Sequence, residues 1–223
     1  QTTGGGDKGT QSRERPRRAQ EGDRDEAPDA KRPKRQAAQP LQSGSCWFCF
    51  ANPAFEKHLV VSIGENVYLA LPKGGLIPEH VLLVSMGHVA SFYELDDTAI
   101  AEMDRFKCAL RQCYSGKLGC SLLLFERNIW GPKQTAKHMC LQVVPVPAST
   151  SSDQCRQLFE QEGQKHRISF SHAGPEKPVK TAIADAGCSS SNYLLVELPD
   201  KSTLVHRVDY RGHPFAFARQ VCA

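Results

Sequence analysis

A Cys-x-x-Cys pair, Cys46 and Cys49 in CWFCF, opens the first apolar stretch of the chain. One turn or knuckle can aim two such sulfurs at a single ion, at the roughly 2.3 Å that zinc–sulfur bonding needs. A closed tetrahedral site takes two more ligands, and His88 and His138 are candidates. His88 ends the segment HVLLVSMGH and His138 begins HMCLQVVPVP. Two strand ends can meet beside an N-terminal knuckle. Other uses of the thiols compete. A thioredoxin-type redox pair opens a helix after a strand, whereas this pair precedes any predicted strand. Free cysteines also serve as small buried hydrophobes. Spacing alone leaves metal ligation and core packing both open.

The segment HMCLQ carries a second pattern. Alternate residues of a strand share a face, so His138, Cys140 and Gln142 point one way and Met139, Leu141 and Val143 the other. The polar face either lines a pocket or is the wet side of a half-exposed strand. Lys73-Gly74-Gly75 lacks the spacing of a P-loop and reads as a turn after a strand, with Lys73 placed to touch a phosphate backbone.

These residues must be positioned by regular elements. HLVVSI (58–63) and NVYLAL (66–71) are β-rich runs joined by Gly64-Glu65, a hairpin signal, and HVLLVSM (80–86) is a third strand. Residues 94–114 predict a helix, with Ile100, Met103, Phe106 and Leu110 near helical spacing and Asp96 and Asp97 in the opening turn. Gly116 and Gly119 are expected to end it. CSLLLFE (120–126) and HMCLQVVPVP (138–147) are further strands. Residues 153–165 predict a short helix, followed by a Gly/Pro/Ser-rich linker running through SSSN. NYLLVELP (192–199) and STLVHRV (202–208) predict a hairpin across Asp200-Lys201, and Pro214 suits the first turn of a last helix.

The fold class expected is α+β, an antiparallel sheet with one main helix followed by a smaller α+β domain. The expected domains are a charged, disordered tail at 1–42, a first domain at 43–148 and a second at 149–223. The second is expected to be cut short, because Phe215, Phe217 and Val221 show no partner in the sequence. The first residue is Gln1 rather than Met, so the chain is expected to be part of something longer.

Composition narrows the classes. The tail has almost no large apolar residue and cannot offset its ordering entropy by burial. Within it Lys31, Arg32, Lys34 and Arg35 of KRPKR read as a nuclear-import signal or as a solvated basic linker. The net charge of +4 permits an anionic partner without demanding one. Nine cysteines, an odd and scattered set, argue for a reducing compartment and against a disulfide scaffold. No apolar run reaches the roughly 18 residues of a membrane span, and no signal-peptide pattern is present.

LIPEHVLLVSMGH, then a helix, a strand and H-x-C-x-Q-V-V-P, resembles the histidine triad (HIT) superfamily, with Pro78-Glu79-His80 where P-G-H stands in that superfamily. More specifically, the stretch from SCWFCF to HVAS, FERN, HMCLQVVPVP and LVHRV resemble the CwfJ family of splicing-associated proteins, the Cwf-nineteen-like proteins, over residues 45 to 223. The nearest likeness is to the like-one branch, whose metallophosphoesterase-like upstream region this sequence does not contain. The resemblance implies a HIT-like sheet and a structural zinc ion on Cys46, Cys49, His88 and His138. It also implies a nuclear protein acting in splicing at the intron-lariat stage, with the RNA lariat debranching enzyme, late spliceosome components and RNA as partners and no membrane.

In HIT hydrolases and transferases the middle histidine attacks the α-phosphate. Here that position is Cys140, with no activating base evident nearby, so a non-catalytic interaction protein is expected. The alternative is a HIT-type nucleotide hydrolase or transferase. Gln142 matches the third position of the transferase branch. Arg127, Asn128, Cys140, Gln142 and Lys73 are the candidate lining of a nucleotide or RNA pocket.

Overall fold

A computed structural model describes residues 46–129, 137–189, 192–208 and 213–223. The expected charged tail at 1–42 and its KRPKR segment lie outside the described residues. The described elements are β1 (Val60–Ile63), β2 (Val67–Ala70), β3 (Val81–Ser85), α1 (Asp97–Leu118), β4 (Cys120–Asn128) and β5 (Cys140–Pro147). They continue with α2 (Ser152–Lys165), β6 (Ser171–Ala173), α3 (Val179–Asp185), β7 (Tyr193–Glu197), β8 (Thr203–Arg207) and α4 (Phe217–Val221). Among the described residues eight strands form one antiparallel sheet in the order β1-β2-β3-β5-β4-β7-β8-β6. The fold class is α+β, as expected. No helix among the described residues is long and apolar enough to cross a membrane.

The main helix starts later than expected. Residues 92–94 form a separate 3-10 turn, and Asp96 caps α1 by accepting from the Ala99 N–H at 2.8 Å. Gly116 is carried inside the last turn, and Gly119 ends the helix in the left-handed conformation at φ 62°. From α1 the buried Glu102 accepts from the N–H groups of Glu65 and Asn66 at 2.8 and 2.6 Å, fixing the β1–β2 turn. In α2, Ser151 and Gln154 form a reciprocal capping box.

The expected linker after α2 contains structure. Three residues of β6 pair with β8, and α3 buries Ile183. Both are too short for periodicity to reveal them. The described part of residues 149–223 contributes three helices and three strands, and the sheet runs on across the expected boundary. β7 pairs with β4 through Leu124↔Glu197 to Asn128↔Tyr193. Phe217 has the partner the sequence did not disclose: it is buried beside Phe159 and Phe170, with Val221 half-buried on the same cluster.

Alternation sorts the core into two faces. On one, α1 and α3 cover Val67, Leu83, Leu124, Leu141, Val143 and Leu195. The opposite face has two separate covers. Turns at residues 46–55 place Phe48 and Phe55 over Tyr68, Ala70, Leu82 and Val84. α2 and α4 place Phe159 and Phe217 over Leu123, Phe125, Leu194 and Val196. Between the covers the polar face of β5 is left open.

Candidate metal centre and the adjoining cleft

The knuckle forms because its own backbone closes it. Cys49 N–H donates to the Cys46 carbonyl at 3.4 Å, Asn52 N–H to the Cys49 carbonyl at 2.9 Å, and the Asn52 amide to the Cys46 carbonyl at 2.8 Å. Tyr68 from β2 ties the knuckle to the sheet by donating its hydroxyl to the Phe48 carbonyl at 2.8 Å. His88 follows the end of β3 and His138 precedes β5. The two segments are held together by Met139 N–H donating to the Val89 carbonyl at 2.8 Å.

These elements bring Cys46, Cys49, His88 and His138 together, with their four ligand atoms within 4.8 Å of one another. His138 Nδ1 lies 3.4 Å from each sulfur, His88 Nδ1 lies 3.3 Å from Cys49 Sγ, and the two Nδ1 atoms are 3.2 Å apart. A tetrahedral zinc ion, with Zn–S of about 2.3 Å and Zn–N of about 2.0–2.1 Å, sets S···N edges near ~3.6 Å and an N···N edge near ~3.3 Å. The observed edges fit that geometry with small adjustment. The donor set can hold a metal ion.

The second layer of contacts agrees. His138 Nε2–H donates to the Ser85 carbonyl at 2.7 Å. A carbonyl only accepts, so the proton sits on Nε2 and the Nδ1 lone pair faces the sulfurs, the arrangement typical of a ligating histidine. Burial lowers His138 to about 4 and also lowers His88, so both rings are neutral near pH 7. Burial, followed by the neighbouring Cys46, pushes the Cys49 thiol up to about 12. Two buried sulfurs side by side become thiolates only against a compensating cation, which a metal ion supplies.

Beside this cluster, over the open face of β5, lies a cleft of about 480 Å³. Cys46 and His138 form part of one wall, Cys140 and Gln142 the floor, and Arg127 and the C-terminal segment, with His213, Phe215 and Arg219, the other wall. Of the expected pocket residues, Arg127, Cys140 and Gln142 line this cleft. Lys73 lines a second, more apolar cavity of about 350 Å³, which also borders Gln142 and Arg219. Asn128 is buried and accepts from Lys137 Nζ at 2.7 Å. Arg219 spans the floor, donating to Gln142 Oε1 at 3.3 Å and to the Gly74 carbonyl at 2.6 Å.

Burial pushes the Cys140 thiol up to about 12, with the charge of Glu126 adding to it. Glu126 itself is raised to about 7 by burial, although it accepts from Tyr193 Oη at 2.7 Å and Phe92 N–H at 2.8 Å. His80, the histidine of the Pro-Glu-His segment, is buried beneath the floor and lowered to about 4 by burial, then by Arg219. Sequence reasoning missed Trp47, Lys137, His213, Phe215 and Arg219 as lining. Trp47 was in view inside CWFCF, but nothing local marks residues 213–219 as neighbours of β5.

A model of the family described as "Protein similar to CwfJ C-terminal" matches residues 31–160. Among curated proteins, "CWF19-like protein 1" of Mus musculus is 37% identical over 88% of this chain and 34% of its own length. "Zinc finger CCCH domain-containing protein 59" of Oryza sativa subsp. japonica is 39% identical over 80% of this chain and 29% of its own length. The chain therefore spans about a third of the length of these relatives. Among solved structures, yeast Ap4A phosphorylase Apa2 with AMP aligns at a TM-score of 0.44 and 20% identity, over 69% of this chain and 62% of that one.

Proposed function

The chain belongs to the CwfJ C-terminal family, and from that membership we propose that it is a non-catalytic, zinc-clipped module of a nuclear, splicing-associated protein. It acts at the intron-lariat stage, assisting RNA lariat debranching through contacts with RNA, the debranching enzyme and late spliceosome components. The observation that carries the non-catalytic part is the fate of the triad positions. His138 faces the sulfur pair through Nδ1, with Nε2 bonded to Ser85. Cys140 stands at the middle position as a thiol held protonated by burial, which makes it a poor nucleophile. Gln142 is bonded to Arg219 and offers no lone pair basic enough to take its place.

A zinc ion would be held by Cys46, Cys49, His88 and His138 and would supply a cross-link between the knuckle and two strand ends. With four protein ligands such a site would be structural rather than catalytic. The protein's remaining work at this place is to shape the cleft wall.

Pull-down from nuclear extract, with and without RNase, tests the assignment. Recovery of debranching enzyme and lariat-intron RNA is expected. Failure to recover either from an extract that contains both would overturn the lariat-stage reading. Incubation with an adenosine phosphoramidate tests the non-catalytic part. Turnover that disappears in Cys140→Ala would show a HIT-type hydrolase instead.

A further inference from the structure

Two large aromatic rings stand on opposite rims of the cleft, far more exposed than a structural role explains. Trp47, on the knuckle, is 66% exposed, and Phe215, on the C-terminal segment, is 75% exposed. Each carries a cation. Lys73 Nζ sits 4.4 Å from the Trp47 ring centroid, and the Arg127 guanidinium sits 4.3 Å from that of Phe215. Both rings line the same cleft, and Arg219 crosses its floor between the walls. A side chain whose task is packing buries its ring; these two keep theirs in water, and a cation occupies only one face of a ring.

We propose that the cleft binds single-stranded RNA, with bases stacked on Trp47 and Phe215 and the intervening phosphodiester drawn to Arg219 and the two flanking cations. This rests on the reading of the protein as one that contacts RNA, and deepens it by naming the form of the RNA and the side chains that hold it. Charge favours a polyanion. Among the described residues lining the two cavities the cations are Lys73, Arg127, Lys137 and Arg219, and the carboxylates are Glu56, which forms a neutral pair with Lys73 at 2.7 Å, and Glu126, which accepts from Tyr193 and Phe92. Cations alone serve an acidic peptide as well. The paired aromatic platforms select bases, because every base offers a π face. Stacking on them requires bases free of a duplex, and a cleft of about 480 Å³ admits a nucleotide rather than a double helix.

Fluorescence anisotropy of the full chain with a labelled single-stranded oligouridylate tests this, beside an RNA duplex of equal length and a polyglutamate peptide. Single-stranded RNA is expected to bind in preference to both competitors. Trp47→Ala and Phe215→Ala should each weaken it about 5- to 150-fold. Trp47→Phe, which keeps a ring, should retain most of the affinity. Arg219→Gln should lower the slope of log affinity against log salt by about 0.7. Metal content and melting temperature are measured on every variant, and Phe215→Ala, on the wall across the cleft from the candidate metal ligands, serves as the arm in which a change of affinity with metal content unchanged is read as loss of stacking. Binding unchanged in both alanine variants, or equal binding of the duplex, overturns this inference and leaves the RNA-contact reading standing. No nucleic-acid binding at all, or binding of the peptide alone, overturns both.

Discussion

The two covers of one sheet face are built on different principles. The N-terminal knuckle has no helix and no strand; it packs Phe48 and Phe55 on a small cluster and brings two sulfurs to two imidazoles. The C-terminal cover has two helices, and Phe159, Phe170 and Phe217 meet ring to ring. The donor set of one can take a few directional bonds to an ion, and the other is held by area removed from water. Turns that short bury too little surface to stay docked on their own, whereas the aromatic cover needs no ion. The cleft lies where the covers fail to meet, so each wall should respond to a different perturbation.

The largest effect should come from Cys49→Ser. Metal-binding free energy is folding free energy in a site of this kind, and loss of a metal belongs to the small class of changes costing above about 4–5 kcal/mol. A drop in melting temperature of about 10 °C or more is expected by calorimetry, with metal content falling from near one ion per chain to none. Acid should act the same way, since thiolates and imidazoles must shed protons to ligate and protons compete as pH falls. A melt close to wild type would remove the metal from the account of this wall.

Phe217→Ala comes next. It empties a fully buried aromatic position and should cost about 3–5 kcal/mol, lowering the melt by about 6–20 °C while metal content stays unchanged. That dissociation of the two readouts is what separates the covers. If Phe217→Ala also lost metal, the two walls would be one cooperative unit and the contrast would fail.

The face under α1 provides the reference. Glu197 accepts from Lys107 at 2.6 Å and from Arg111 at 2.8 Å. Burial alone raises a carboxyl, but these two cations outweigh it and hold Glu197 below its ordinary value. Its folded pKa is therefore below the unfolded one of about 4.3, so its stabilisation is complete above that pH and is lost as pH falls through the folded value. Glu197→Gln should cost about 2–3 kcal/mol near pH 7. The gap to wild type should hold down to about pH 5 and narrow on further acidification, as read from melts across pH. Metal release in acid affects both proteins alike and cancels in that difference. A gap that widens in acid would contradict the sign.

What could be read in the sequence follows the range of the interactions. The four ligand candidates were visible because Cys-x-x-Cys is a local mark and because His88 and His138 flank clear strand patterns. The alternation in HMCLQ likewise placed Cys140 and Gln142 on the cleft floor and Leu141 and Val143 in the core. The second wall was hidden. Pairing of Asn128 with Tyr193 joins residues far apart in the chain, and no local signal records it. Three-residue β6 and seven-residue α3 fall below the length at which periodicity speaks. Phe217 looked unpartnered because its partners lie on α2 and near β6, and nothing local marks Arg219 as a neighbour of β5.

Arg219 links the aromatic cover to the cleft floor and to the β2–β3 loop, and it gives the smallest and most discriminating effect. Its guanidinium, carried on the aromatic cover, bonds Gln142 on the floor and the Gly74 carbonyl of the β2–β3 loop. The loop joins the two strands that the knuckle covers, and Gln142 lies on the open floor between the covers. Replacement by alanine removes both bonds but leaves acceptors that water can reach from the cleft, so the cost should be about 1 kcal/mol, or about 2–4 °C in the melt. The informative measurement is a double-mutant cycle with Phe217→Ala and, separately, with Cys49→Ser. Coupling with Phe217→Ala is expected, because both residues sit on one turn of α4. Near-additivity with Cys49→Ser is expected if the ion holds its wall without help from across the cleft. Coupling of more than about 0.5 kcal/mol with Cys49→Ser would instead make Arg219 a strut through which the metal wall and the aromatic wall stabilise each other.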